Sequence, residues 1–268
     1  MDQTEIKTKI FKVFTIALPI LLVAVLAMLI VVAMNLSKDN DYLPVVGGNI
    51  DDNSTTTTTT EAQEDPDEPI EDPSSKGLSF VSKGDGTCAL DGIGECKDSF
   101  IIVPAASPDG DIVVEIADNA FKNSNVIKGI ELPSTVERIG AYAFYGSSIR
   151  EITVTQSIKE IGNYALCGCK YLTSIDVDSA NSSYSSISGV LYNKDGTVLI
   201  TYPAGKTDNF VNISRNVVKI SNMAFYRCSN VKKVNYHGTS LSWEAVEIGA
   251  GNDVIDEAFI YCAGDSGK

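Results

Sequence analysis

Positive charge is scarce in this sequence, and histidine is nearly missing. The 268 residues carry 21 Lys and Arg against 35 Asp and Glu, a formal net charge of -14, and one histidine. A nucleic-acid binder needs a basic footprint to neutralise phosphates, so this balance argues against that class. It argues equally against adsorption to anionic lipid. A Cys/His or Ser/His dyad would have to use His237, which sits beside a glycine in YHGTS and reads as a solvated turn residue. Zinc spacing is missing too. Cys167 and Cys169 stand two apart with no second Cys or His cluster. The acidic loops around Asp85, Asp109, Asp178 and Asp195 lack the alternating ligands, central Gly and terminal Glu of a calcium loop. No motif singles out a carboxylate pair for glycoside hydrolysis. No catalytic residue, metal ligand or cofactor is expected, and a hydrolase is the remotest alternative.

What the chain does have begins with one apolar run. From Val13 to Met34 no residue is charged. At about 1.5 Å per residue this makes roughly 33 Å of helix, enough to cross a hydrocarbon core. A cleaved signal peptide usually has an apolar region of about 7–15 residues and a small-x-small cleavage site, which this run does not resemble. Lys7, Lys9 and Lys12 precede it and only Lys38 closely follows. The N-terminus, residues 1–12, is therefore expected in the cytoplasm, with 13–34 as a single-pass signal anchor in the cell membrane and the remainder extracellular. Residues 35–76 hold six consecutive threonines and then an acidic, proline-rich run. With almost nothing apolar to bury, this segment reads as a disordered Thr/Asp/Glu/Pro-rich stalk.

From residue 113 the chain repeats. IADNAF, IGAYAF, IGNYAL and ISNMAF begin at 116, 139, 161 and 220, which puts a large apolar residue at Phe121, Phe144, Leu166 and Phe225. A period in the low twenties, with one enlarged unit, is the signature of stacked coils. Ile116, Ile139, Ile161 and Ile220 complete the repeated core. Each unit then runs through an apolar triplet such as Ile149, Ile152 and Val154, whose last step has strand period. One coil cannot bury such a stripe alone; stacked coils can.

This pattern, V-x-x-I-G-x-x-A-F-x-x-C-x-x-L-x-x-I-x-I, resembles the BspA-like leucine-rich repeat of bacterial cell surfaces. The resemblance implies a leucine-rich repeat solenoid, mostly β with short helical turns, over residues 113–240. It implies an N-terminal capping hairpin and half-repeat at 77–112, a hairpin insertion near 185–207, and a C-terminal cap at 241–268 with Trp243 packed over the last coil. It further implies a non-enzymatic module for protein or glycan binding at the cell surface, in adhesion or recognition. The alternative is a structural envelope component that contacts another membrane protein.

Two residue sets remain as candidates. Outward strand positions between buried neighbours are Glu131, Thr153, Asp176 and Asn235, an acidic-to-neutral ladder suited to cationic or hydroxyl-rich partners. Cys88 and Cys96 flank ALDGIGE and are the candidate disulfide across a hairpin, with a pair of free thiols as the alternative.

Overall fold

The computed structural model describes residues 72–265, so the expected membrane helix and most of the expected stalk lie outside the described residues. The last part of that stalk is folded. Ser74 and Ser75 are buried. The Ser75 N–H donates to Ile102 O at 2.9 Å, and the Ile102 N–H returns a bond to Ser75 Oγ at 3.1 Å.

The chain then enters a hairpin of β1 (Ser79–Ser82) and β2 (Thr87–Gly92), followed by β3 (Phe100–Ile102). From there each coil adds one strand to each of two series of ladders. The first series runs through β4 (Ile112–Ile116), β6 (Arg138–Ile139) and β8 (Glu160–Ile161), parallel to β2. The second runs through β5 (Gly129–Glu131), β7 (Glu151–Val154) and β9 (Ser174–Val177), with β5 parallel to β3 and β9 parallel to β7. The expected N-terminal hairpin and half-repeat thus become the first rung of both.

The repeated phrase forms the loop between the two series, and its backbone is unusual. Asn119, Tyr142, Tyr164 and Met223, two residues before each Phe position, are all left-handed, with φ of 62, 57, 61 and 55°. A non-glycine residue there costs about 1–3 kcal/mol and persists only where its surroundings demand it. The demand comes from stacking. In the first two coils the left-handed residue donates its N–H to the next coil, Asn119 to Ala141 O at 2.9 Å and Tyr142 to Asn163 O at 3.0 Å. Phe121 and Phe144 lie inside these loops, 5.4 Å apart and nearly parallel, and both are buried.

The enlarged unit contains a hairpin within the expected 185–207 and extends it by one strand. It is a meander of β10 (Tyr184–Ile187), β11 (Val190–Asn193) and β12 (Val198–Thr201), and its third strand returns to the solenoid beside β14 (Lys219–Ile220). Tyr202 thereby takes a Phe position. It stacks 5.0 Å from Phe225, and its N–H donates to Ala224 O at 2.8 Å, as Phe144 donates to Ala165 O. Buried Asn181 pins the meander: its Nδ2 donates to Thr155 O and Ile158 O, and its Oδ1 accepts from the Ser183 and Tyr184 N–H groups.

After it, β13 (Phe210–Ile213), β15 (Lys233–Tyr236) and β17 (Phe259–Cys262) form a parallel three-stranded ladder, while β14 pairs with β16 (Glu247–Ile248). Two short helices, α1 (Ser240–Glu244) and α2 (Asp253–Asp256), link these strands. The expected cap at 241–268 therefore contributes a further coil. Trp243 packs as expected, 5.2 Å from the Tyr236 ring.

Seven of the eight named core residues are buried: Ile116, Phe121, Ile139, Phe144, Leu166, Ile220 and Phe225. Ile161 is only partly buried, a correction to the sequence expectation. It lies on β8, the last strand of its sheet, where no further rung covers it.

Phe144 is sealed between Phe121 and the next coil, so Phe144→Ala is expected to lower the unfolding free energy by about 3–5 kcal/mol. Urea denaturation followed by circular dichroism measures this, and a variant that melts with the parent would contradict the stacking.

Candidate functional site

Alternate residues of a strand face opposite ways, and in β7 this leaves Glu151 and Thr153 exposed while Ile152 and Val154 are buried. The same alternation turns Glu131 on β5 and Asp176 on β9 outward. Thr153 lies in register beside Asp176. Three of the four expected face residues, Glu131, Thr153 and Asp176, therefore border one hollow of about 520 Å³. Its floor and rim add Phe100, Ile130, Leu132, Glu151, Ile152 and Thr155.

Asn235 is elsewhere. Its Nδ2 donates to Asn212 Oδ1 at 3.0 Å on the later ladder. The meander separates the two stretches of strand: the Ile175 N–H donates to Gly189 O at 2.9 Å, and Ser186 Oγ donates to Ile175 O at 2.7 Å. The outward face is split into an acidic patch before the meander and a mixed patch after it. The second patch carries Phe210, Lys233, Phe259 and Tyr261, with the Lys233 ammonium 4.9 Å from the Tyr261 ring centre. Phe259 is 67% exposed.

The sequence reading missed Phe100, Glu151, Phe210, Lys233 and Phe259. Glu151 and Lys233 stand two residues before named positions, so the period-two rule held the signal for them. Phe100 depends on a glycine. A Cβ on Gly129 would come 2.7 Å from the Phe100 ring, and only glycine lets that ring lie across the ladder.

Three carboxylates gather on this face. Among the described residues Glu131, Glu151 and Asp176 have no ion-pair partner. The sheet of β4, β6 and β8 instead joins its charges through Arg138, which pairs with Glu115, Asp118 and Glu160, and Glu115 also pairs with Lys83. Partial burial opposes the Arg138 charge, but the surrounding carboxylates outweigh it and raise the guanidinium above its ordinary value. Three carboxylates without a salt bridge, set around a partly apolar floor, can take a cation or a row of hydroxyl donors.

The cysteines do not form the expected bond. All six are free thiols, and Cys88 and Cys96 are both buried. Cys88 sits within β2, in register with Ser82 and Val113, so the hairpin turn lies before it, at Lys83–Gly86, and ALDGIGE does not fold Cys96 back upon it. Burial raises the Cys167 and Cys228 thiols to about 12. His237 is exposed, its N–H donating to Ile213 O at 2.9 Å. No cluster of three or more metal-ligating side chains occurs among the described residues.

The model of the BspA type leucine rich repeat region matches residues 108–208 and 202–245, with six copies. The chain belongs to this family. Its BspA-type coils are also similar to solved structures. A leucine rich cell surface protein from Faecalibacterium prausnitzii is 18% identical over 70% of this chain and 73% of its own, with a TM-score of 0.42. A leucine-rich repeat protein from Eubacterium ventriosum is 26% identical over 52% of this chain and 44% of its own, at 0.40. The pneumococcal vaccine antigen PcpA is 22% identical over 57% and 47%, at 0.33. No curated protein matches the chain.

A thiol whose folded pKa lies above its unfolded value near 9 favours folding fully below pH 9, and that stability is lost as pH rises towards 12. Stability is therefore expected to fall between about pH 9 and 12, less steeply in Cys228→Ala, as read from urea titrations at about pH 8 and 11.

Proposed function

We propose that this BspA-type repeat chain is a non-enzymatic recognition module, held at the outer face of the cell membrane, that binds protein or glycan through its strand face. The observation that carries the reading is the hollow bordered by Glu131, Glu151, Thr153 and Asp176, whose carboxylates lack ion-pair partners within the described fold. Whereas the carboxylates around Arg138 are paired within the fold, these add no salt bridge to its stability. Phe100 adds an exposed ring to the rim, and an aromatic face beside hydrogen-bonding groups suits a sugar ring or a cationic side chain. In this reading Val13–Met34 is the signal anchor, the N-terminus is cytoplasmic, and the acidic, threonine-rich segment sets the repeats away from the bilayer.

An array of glycans and extracellular-matrix proteins tests the face. Its ligand is expected to bind the Glu131→Lys/Asp176→Lys double variant at least roughly tenfold more weakly, with unchanged thermal stability. A ligand held equally well by that variant rejects the site. The orientation has its own check in Cys262, the one cysteine that is not buried. A membrane-impermeant maleimide added to intact cells is expected to label it; labelling only after lysis would reverse the topology.

A further inference from the structure

The loops of the first two coils each give three N–H groups, on alternate residues, to the next coil. Asn119, Phe121 and Asn123 donate to Ala141, Ala143 and Tyr145 at 2.9, 2.7 and 2.7 Å. Tyr142, Phe144 and Gly146 donate to Asn163, Ala165 and Cys167 at 3.0, 2.8 and 3.0 Å. The third coil has the same backbone, with Tyr164 and Gly168 left-handed like their counterparts. Its three donors, on Tyr164, Leu166 and Gly168, meet no acceptor among the described residues.

The chain that should cover them has been drawn into the meander. The Tyr202 N–H points onward, to Ala224 O, and the Thr201 carbonyl does not receive the Leu166 N–H. A cavity of about 320 Å³ opens where the covering loop would lie, with Tyr164 and Leu166 on one wall and Thr201, Ser221 and Asn222 on the other. It shares no residue with the strand-face hollow.

We propose that this cleft binds a peptide segment of a partner protein, whose alternate main-chain carbonyls complete the interrupted ladder. Three features select that ligand. Donors on alternate residues call for alternate main-chain carbonyls, the pattern that Asn163, Ala165 and Cys167 supply to the coil before. The cation at the rim, Lys219, is paired with Glu247 at 2.7 Å and leaves no unpaired charge for an anion. The adjoining sheet edge is closed, because the Ile161 N–H already donates to the Tyr184 hydroxyl at 2.7 Å. Recognition is thereby confined to the loop donors. A peptide that supplies main-chain carbonyls in this way adds a rung, as in strand addition to a sheet edge.

The probe is the acetylated, amidated hexapeptide AYAFYG, residues 141–146, which carries the carbonyls that receive the equivalent donors of the first coil. Titrated into the ¹⁵N-labelled full chain in detergent micelles, it is expected to shift the Tyr164 and Leu166 amide resonances saturably and slow their hydrogen exchange at least roughly tenfold. The Tyr142 and Phe144 amides should not respond. Asn163→Trp, at an exposed rim position with no side-chain hydrogen bond, is expected to abolish the response without lowering thermal stability. Glu131→Lys/Asp176→Lys is expected to leave it intact, which separates this cleft from the strand face. Exchange at Tyr164 and Leu166 already as slow as at Tyr142 and Phe144 would overturn the proposal, as would the same shifts with inorganic phosphate, or none with the peptide.

Discussion

The fold rests on one hydrogen-bonded step: a left-handed residue gives its N–H to a carbonyl of the next coil. Tyr142 and Met223 occupy a conformation that side chains disfavour, and a single coil would gain nothing by holding it. Stacked, the same conformation aims successive N–H groups along the solenoid axis and sets Ala and Phe at a constant height. The Phe column then excludes water from the bonds that position it. Neither survives alone, because the bonds need a neighbour in register and the aromatic rings need the loops that present them. This mutual dependence explains why the six-residue phrase recurs while the residues between the phrases vary.

In the third coil that step fails, and the effect spreads to its neighbours. Leu166 replaces the aromatic residue, Ile161 is incompletely covered, and the buried residues divide into two clusters, with Leu191 in the first and Val190 in the second. Tyr184 and Asn181 repair part of the break. The Tyr184 hydroxyl accepts the N–H of Ile161, and the Asn181 amide satisfies four main-chain groups. Aromatic stacking resumes at Tyr202 and Phe225, so the insertion displaces the ladder without ending the solenoid.

How much of this was legible depended on what each feature asks of a side chain. The coil period was readable because burial in a shared column demands the same residue type at each turn. Glu131, Thr153 and Asp176 were readable because strand alternation needs only a count of two. Tyr202 was not, since TYPAG lacks the phrase and its place is set by β12 pairing with β14. The last rung, FIYC, was hidden for the same reason: its position comes from pairing with β15. Cys88 and Cys96 misled because the turn in ALDGIGE, at Ile93–Cys96 with Gly94 left-handed, does not fold the chain back on β2, while the hairpin turn is KGDG, with Gly84 and Gly86 both left-handed. Orphaned donors leave no mark in a sequence, because every residue except proline has a backbone N–H.

Stability and recognition draw on different positions of the same coil. Inward strand residues, the Ala-Phe pair and the left-handed sites are all constrained by the neighbouring turn, and a change at one is felt in two coils. Outward strand residues are constrained on their own coil only through β propensity and cross-strand contact, terms of about 1 kcal/mol or less. The Arg138 network is a charged surface whose partners already lie within the fold. Glu131, Glu151 and Asp176 are placed with equal regularity and have no opposite charge paired to them there, so their charge is free to act on something else. A solenoid that must repeat itself to stand can vary only where the next coil does not press, and that is where a specific surface can be built.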